Sequence, residues 1–246
     1  MEPKYAVSAG LAVSGGVLAL KGFLSVNPGY INLGIAGMFL SAVLLVLKSS
    51  KYVKREAVDV VLKSQMELFD ALLKNLKLEG NALYLPPYEN LPKGGIFVPL
   101  HEDFELDPAR FDEETLFVTD VPNDRAMGLL LPSLGEELVE KYEEHLEGPI
   151  TTVPELESAS SSVLRTLGLA KRVYIEEKGD KIRIVVSPEF PCDPRHCEKM
   201  PCPVCASVLR GLAKATGEVI ETERFEKKDY GIGIEAKKLG RVEEWM

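Results

Sequence analysis

The sequence predicts an α+β soluble domain with a largely antiparallel sheet, preceded by a two-helix transmembrane hairpin. Three observations carry that expectation: two long apolar runs near the N-terminus, short alternating runs separated by turn residues, and amphipathic stretches at helical spacing between them. The boundaries that follow are 1–48 for the hairpin, 49–80 for an amphipathic connecting helix and 81–246 for the α+β domain.

From Tyr5 to Leu24 the only charge is Lys21. At the helical rise such a run spans about 30 Å, a full hydrocarbon core, and Lys21 lies near the end, where its ammonium reaches the interface. A second uncharged run, Ile31 to Leu47, reaches about 25 Å by the same rise. Between them Asn27-Pro28-Gly29 is turn chemistry and Tyr30 suits an interface. Small residues recur at four-residue spacing, Gly10 with Ser14, Ala12 with Gly16 and Gly37 with Ser41, as close helix packing requires. Lys48, Lys51, Lys54 and Arg55 follow the second run, Lys4 precedes the first, and the connecting turn holds no basic residue. The positive-inside rule then puts both termini in the cytoplasm, with the chain in the cell membrane. A cleaved signal peptide fits less well, because its n-region would hold only Lys4 and a second apolar run follows at once.

After Val53, Val58, Val61, Leu62, Phe69, Leu72 and Leu76 fall on one helical face, ending at Gly80-Asn81. Strand-like runs follow at Ala82–Leu85, Ile96–Leu100, Leu116–Thr119 and Gly128–Leu131. Leu134 to Leu146 reads as an acidic helix with Ser133 as N-cap and Glu136 completing a capping box, and Pro154 to Leu167 as another that starts near Thr152 or Val153. Arg172–Lys178 and Lys181–Ser187 flank Gly179-Asp180 as a hairpin. Cys202 to Thr216 reads as a helix capped by Gly217, and two more strands follow around Lys227-Lys228-Asp229.

The net charge of −9 comes from the part beyond the apolar runs, so the soluble domain is acidic and DNA or RNA is not an expected partner. The expected partners are the lipid bilayer and a protein partner or second copy of the chain. Glu and Lys are abundant and Gln65 is the single glutamine, a bias typical of hyperthermophile proteomes.

All four cysteines, Cys192, Cys197, Cys202 and Cys205, lie within fourteen residues. In a reducing cytoplasm, four clustered thiols suit zinc or an iron-sulfur cluster. Cys202-Pro203-Val204-Cys205 has the knuckle spacing and opens a helix, whose N-terminus lowers thiol pKa values. The first pair is spaced more widely, at the edge of ordinary zinc ligand spacings, and His196 is a further candidate ligand. Two short disulfides or free, redox-active thiols remain alternatives.

No P-loop, dinucleotide fingerprint, nucleophile elbow or HExxH occurs, and no complete catalytic constellation is evident. His101-Glu102-Asp103 reads as a solvated turn, because adjacent side chains do not converge. Glu143, Glu144 and His145 read as an exposed helix face, and Ser158, Ser160, Ser161 and Ser162 as a polar helix start. Gly231 and Gly233 in a strand read as a bulge or close backbone approach.

The double apolar run, the phrases Leu83-Tyr84-Leu85-Pro86-Pro87 and Ile96-Phe97-Val98-Pro99, and Leu129-Leu130-Leu131-Pro132-Ser133-Leu134-Gly135 ahead of an acidic helix together resemble an uncharacterised family of archaeal membrane-anchored proteins. The resemblance spans most of the chain. It implies an archaeal inner-membrane location and no catalytic residues. The expected function is a membrane-tethered cytoplasmic domain acting as a non-catalytic accessory, scaffold or ligand-sensing component; the alternative is a metal or thiol redox protein using the four cysteines.

Overall fold

The structure is a computed structural model that describes residues 3–46, 55–189, 192, 197, 199–200 and 202–246. The chain divides into two compact units, Met1–Val53 and Lys54–Met246.

In the first unit α1 (Pro3–Leu24) and α2 (Pro28–Val46) form a helical hairpin. Pro28 opens α2, where its missing N–H costs nothing, and the Asn27 side chain accepts from the Gly29 N–H at 2.9 Å. Glycine sets how closely the helices approach. A Cβ on Gly34 would lie 2.3 Å from the Ala19 nitrogen, and one on Gly15 2.8 Å from the Gly34 carbonyl. At the other end the Ser8 and Ser41 hydroxyls lie 2.9 Å apart, and each also reaches the other residue's carbonyl. Their polarity is thereby satisfied within the pair, as apolar surroundings require. Of the small residues singled out by spacing, Gly37 and Ser41 face α1, whereas a Cβ on Gly10 or Gly16 would meet nothing within 4 Å.

Both helices are long and apolar enough to cross a membrane, with only 17% and 11% of their spans buried, so their apolar surface is turned outward. Lys48, Lys51 and Lys54, on which the orientation argument rests, lie outside the described residues, as does the junction between α2 and the next helix.

The second unit is α+β. Its sheet has eight strands: β1 (Leu83–Leu85), β2 (Gly95–Pro99), β3 (Phe117–Val118), β4 (Gly128–Leu131), β5 (Ala170–Lys178), β6 (Lys181–Pro188), β7 (Ile220–Lys228) and β8 (Gly231–Lys238). They lie in the order β3-β4-β2-β1-β7-β8-β6-β5, and every pairing is antiparallel. Among the described residues its α-helices of more than one turn are α3 (Arg55–Leu76), α4 (Glu136–Leu146), α5 (Val153–Thr166) and α6 (Pro203–Thr216).

Period-two alternation gives the first strands two apolar faces. Tyr84, Ile96, Val98 and Leu129 join Val139, Leu156 and Leu209 of the helices in the larger core. Leu83, Leu85, Phe97 and Leu130 face the other way, onto Leu106, Phe111 and Val242. Helix α3 lays Leu62, Phe69, Leu73 and Leu76 against the larger core. Val61, expected on that face, is exposed.

Edge strand β5 is covered from α5. Ser161 Oγ accepts from the Val173 N–H and donates to its carbonyl, both at 2.9 Å, and Glu157 accepts from the Ile175 N–H at 2.9 Å. These contacts occupy backbone groups that an edge otherwise offers to other strands. Gly231, placed by sequence at a bulge or close approach, is the latter: a Cβ there would sit 2.3 Å from the Val186 carbonyl.

Two local expectations are corrected. Helix α3 ends on Lys77 in the left-handed region (φ 54), not on Gly80, which instead lets Pro99 and His101 approach. Ser133 does not cap α4. The N-cap is Gly135 at φ 81, with no side-chain cap, because Glu136 is drawn to Arg210. The capping box occurs at α5, between Thr152 and Glu155.

Arg210, only 4% exposed, is the main buried charge of the helix layer. Its guanidinium donates to the carbonyls of Pro132 (2.6 Å), Leu134 (3.1 Å) and Lys93 (2.8 Å), and pairs with the Glu136 carboxylate. It thus ties the loops preceding α4 and β2 to α6. Removing one member of a buried pair strands the other, at a cost of about 3–5 kcal/mol. Arg210→Met is expected to lower unfolding free energy by that order in urea titration, and Arg210→Met with Glu136→Gln to recover part of it. For the hairpin, Ser8→Cys with Ser41→Cys is expected to oxidise to an intramolecular disulfide in detergent. Adding Gly34→Leu should suppress that bridge on non-reducing gels, because the helices must then separate.

Candidate metal centre

Helix α6 positions the second cysteine pair. Pro203 is preset for the first helical turn, Cys202 stands at the N-cap with φ −60 and ψ 155, and Cys205 follows three residues later. The preceding segment is held in the core by Met200 and by Lys199, whose ammonium donates to the Leu78 carbonyl at 2.9 Å. Cys197, Cys202 and Cys205 are buried and Cys192 half-buried.

The sulfurs of Cys192, Cys202 and Cys205 all lie within 4.8 Å of one another, close enough to bind a metal. Cys192 Sγ is also 3.5 Å from Cys197 Sγ. None of the four is disulfide-bonded. A tetrahedral ion with zinc–sulfur bonds of about 2.3 Å holds its sulfurs about 3.8 Å apart, a spacing that the 4.8 Å limit met by Cys192, Cys202 and Cys205 accommodates, whereas Cys197 is outside that mutual group. His196, the other candidate ligand, lies outside the described residues.

The thiols do not share one proton affinity. Cys202 is held well below the usual thiol range by hydrogen bonds from Cys192 and Cys205, reinforced by the N–H groups of Cys205 and Val204 at the start of α6, which outweigh burial. Cys192 is pushed up, first by its hydrogen bond with Cys197, then by those with Cys202 and Cys205 and by burial. Cys205 is eased downward by Cys192, yet its hydrogen bond to Cys202, burial and the Cys202 charge raise it on balance. Cys192 and Cys205 thus donate toward Cys202, the thiol of these three that most readily gives up its proton. A divalent cation can replace those protons, since metal binding requires thiolates.

The other sequence candidates are engaged locally. His101 lies 3.7 Å from Asp124, and Asp103 pairs with Arg125 at 2.6 Å. Glu143 holds Lys214 at 2.7 Å and the Ile150 N–H at 3.0 Å, while Glu144 pairs with Lys141. A cleft of ≈ 540 Å³ lies between Asn90, Arg110, Asp112 and Phe117. Its charged walls serve the loop itself: Arg110 bonds Asp107 and the Asp120 carbonyl, and Asp112 accepts from the Glu114 and Thr115 N–H groups.

Sequence reading missed Arg210, Tyr84 and the Tyr142–Ser207 hydroxyl pair (2.7 Å) that surround α6. For Arg210 a signal existed, a single charge amid the apolar positions of that helix. A tyrosine within an apolar strand carries none.

No curated protein and no solved structure matches the chain. A family model described as a domain of unknown function (DUF7982) matches residues 5–234, and the chain belongs to that family from its first apolar helix to its last strand.

Proposed function

We propose that this chain is a membrane-tethered, non-catalytic accessory domain whose soluble fold is locked by a structural metal ion bound to Cys192, Cys197, Cys202 and Cys205. The observation that supports the reading is the convergence of the Cys192, Cys202 and Cys205 sulfurs at the buried start of α6, with Cys197 3.5 Å from Cys192 as the fourth ligand that metal binding would draw in. Four protein ligands close a tetrahedral shell and leave no open position for substrate, which is the pattern of structural sites.

The spacing favours a single ion over an iron-sulfur cluster. In a cluster the thiolates bind different irons, so ligand sulfurs stand farther apart than those sharing one metal. Zinc is the expected ion, since it is redox-inert and takes four thiolates readily. The apolar hairpin serves as the anchor, and the basic residues after it argue for a cytoplasmic soluble domain, where thiols stay reduced. The hairpin's outward apolar surface is for lipid, with a protein partner or second copy engaged by the anchored domain.

Anaerobically purified full-length protein is expected to contain about one zinc per chain by elemental analysis, with four sulfur ligands. A strong chelator should lower the melting temperature, and Cys202→Ser with Cys205→Ser should abolish zinc retention. Stoichiometric iron with visible absorption and reversible reduction would instead favour the redox reading. Protein purified free of metal, with stability indifferent to added zinc, would remove the metal centre.

A further inference from the structure

The sheet is protected at one edge only. Side chains of α5 occupy the outer backbone groups of β5, whereas among the described residues no strand lies beyond β3. Leu130 donates its N–H to the Leu116 carbonyl at 2.8 Å, and Phe117 stands opposite Leu129. Hydrogen-bonded and non-hydrogen-bonded pairs alternate along an antiparallel ladder. Leu116 and Val118 therefore turn their backbone groups to β4, and Phe117 turns its N–H and carbonyl outward. The side chains at this edge are apolar yet exposed, Leu116 at 49% and Phe117 at 51%. An open apolar edge is a template for another strand, and the charge around it says which kind. From Glu102 to Arg125 nine carboxylates face two arginines, a net of −7 within a chain whose total is −9. Both arginines are already held, Arg110 by Asp107 and the Asp120 carbonyl, Arg125 by Asp103 and Glu105. Glu113, Glu114 and Asp120 flank β3 and are exposed. Asp112 and Asp120 also line the cleft of ≈ 540 Å³ beside Phe117, which has room for a long basic side chain.

We propose that β3 is a docking edge for an extended basic segment of a partner protein. The segment adds to the sheet as a further strand, with its backbone on Phe117, its apolar residues against Leu116 and Phe117, and its lysines or arginines on the flanking carboxylates. In this mode main-chain hydrogen bonds supply affinity and side chains supply selection. The same charge disfavours other occupants. Two copies meeting edge to edge would set one acidic segment against another, and an anionic lipid surface is repelled likewise. The inference rests on the accessory part of the reading above, for which it supplies the partner's chemistry, and not on the metal.

The test uses the full chain in neutral detergent and a fluorescent, end-blocked peptide, Lys-Lys-Val-Tyr-Val-Lys-Lys, with binding read by anisotropy. Binding is expected to saturate, to weaken about 10-fold between about 50 and about 500 mM salt, and to be lost when glutamates replace the lysines. A peptide N-methylated at its Val-Tyr-Val centre keeps its charge but offers the edge no N–H there, and should bind about 10-fold more weakly. Phe117→Pro deletes the outward N–H and leaves the bonds to β4 in place. It should weaken the parent peptide by a similar factor with little change in melting temperature. Equal affinity of the methylated and parent peptides for the wild-type chain overturns strand addition, whatever Phe117→Pro does to the fold. No saturable binding, or equal binding of the glutamate peptide, overturns the basic partner. Self-association of the chain that Phe117→Pro abolishes gives the edge to a second copy and overturns it too. Zinc content is measured on the same preparation: a chain that holds zinc yet ignores the peptide loses this inference alone.

Discussion

Ten consecutive residues of α6, Val204 to Ala213, are buried, and that burial constrains the rest of the soluble unit. A helix enclosed on all sides must satisfy its polar groups with protein, and its neighbours must fit its surface closely. Each does so at a specific residue. Gly135, in the left-handed region, brings the start of α4 onto the backbone at Ser207, where a Cβ would come within 2.8 Å of the Ser207 nitrogen. Gly211 admits the Leu156 side chain from α5, whose Cδ1 would be 2.4 Å from a Cβ there. Ser207 shares a hydrogen bond with Tyr142, and Arg210 gathers carbonyls from two loops.

The N-terminus of the same helix meets the cysteines. Hydrogen bonds from Cys192 and Cys205, joined by the free N–H groups at the favourable end of the helix dipole, favour a thiolate at Cys202 in a core that otherwise resists charge. A cation there would neutralise charge that the fold partly prepares. It would also fix the cysteine-bearing segment, which crosses from β6 to α6, to the helix on which the whole layer is built. Metal binding at this point would therefore add to the packing around α6, since binding free energy gained only in the folded state adds to its stability.

The hairpin solves a different problem by a similar device. Glycines let α1 and α2 come close, and Ser8 and Ser41 satisfy each other, so little polarity is turned outward. In water the exposed apolar side chains would be a liability; in lipid they are the expected solvent-facing surface.

What the sequence by itself determined was whatever local periodicity and turn chemistry decide. The two apolar runs, the four early strands, the Gly179-Asp180 hairpin and the antiparallel α+β class could be read because period 2, period 3.6 and left-handed glycines leave marks within a few residues. The cysteine grouping was legible for the same reason, being local along the chain. Tertiary structure alone decided the strand order, in which β1 pairs with β7 across well over a hundred residues, and the fate of Glu136, which a capping rule assigns to Ser133 but a buried guanidinium claims. It also decided which small residues face across the hairpin, and that Tyr84 shares a core with the thiols. Such choices depend on groups distant in sequence becoming neighbours, where desolvation makes one long-range charge pair outweigh a local cap.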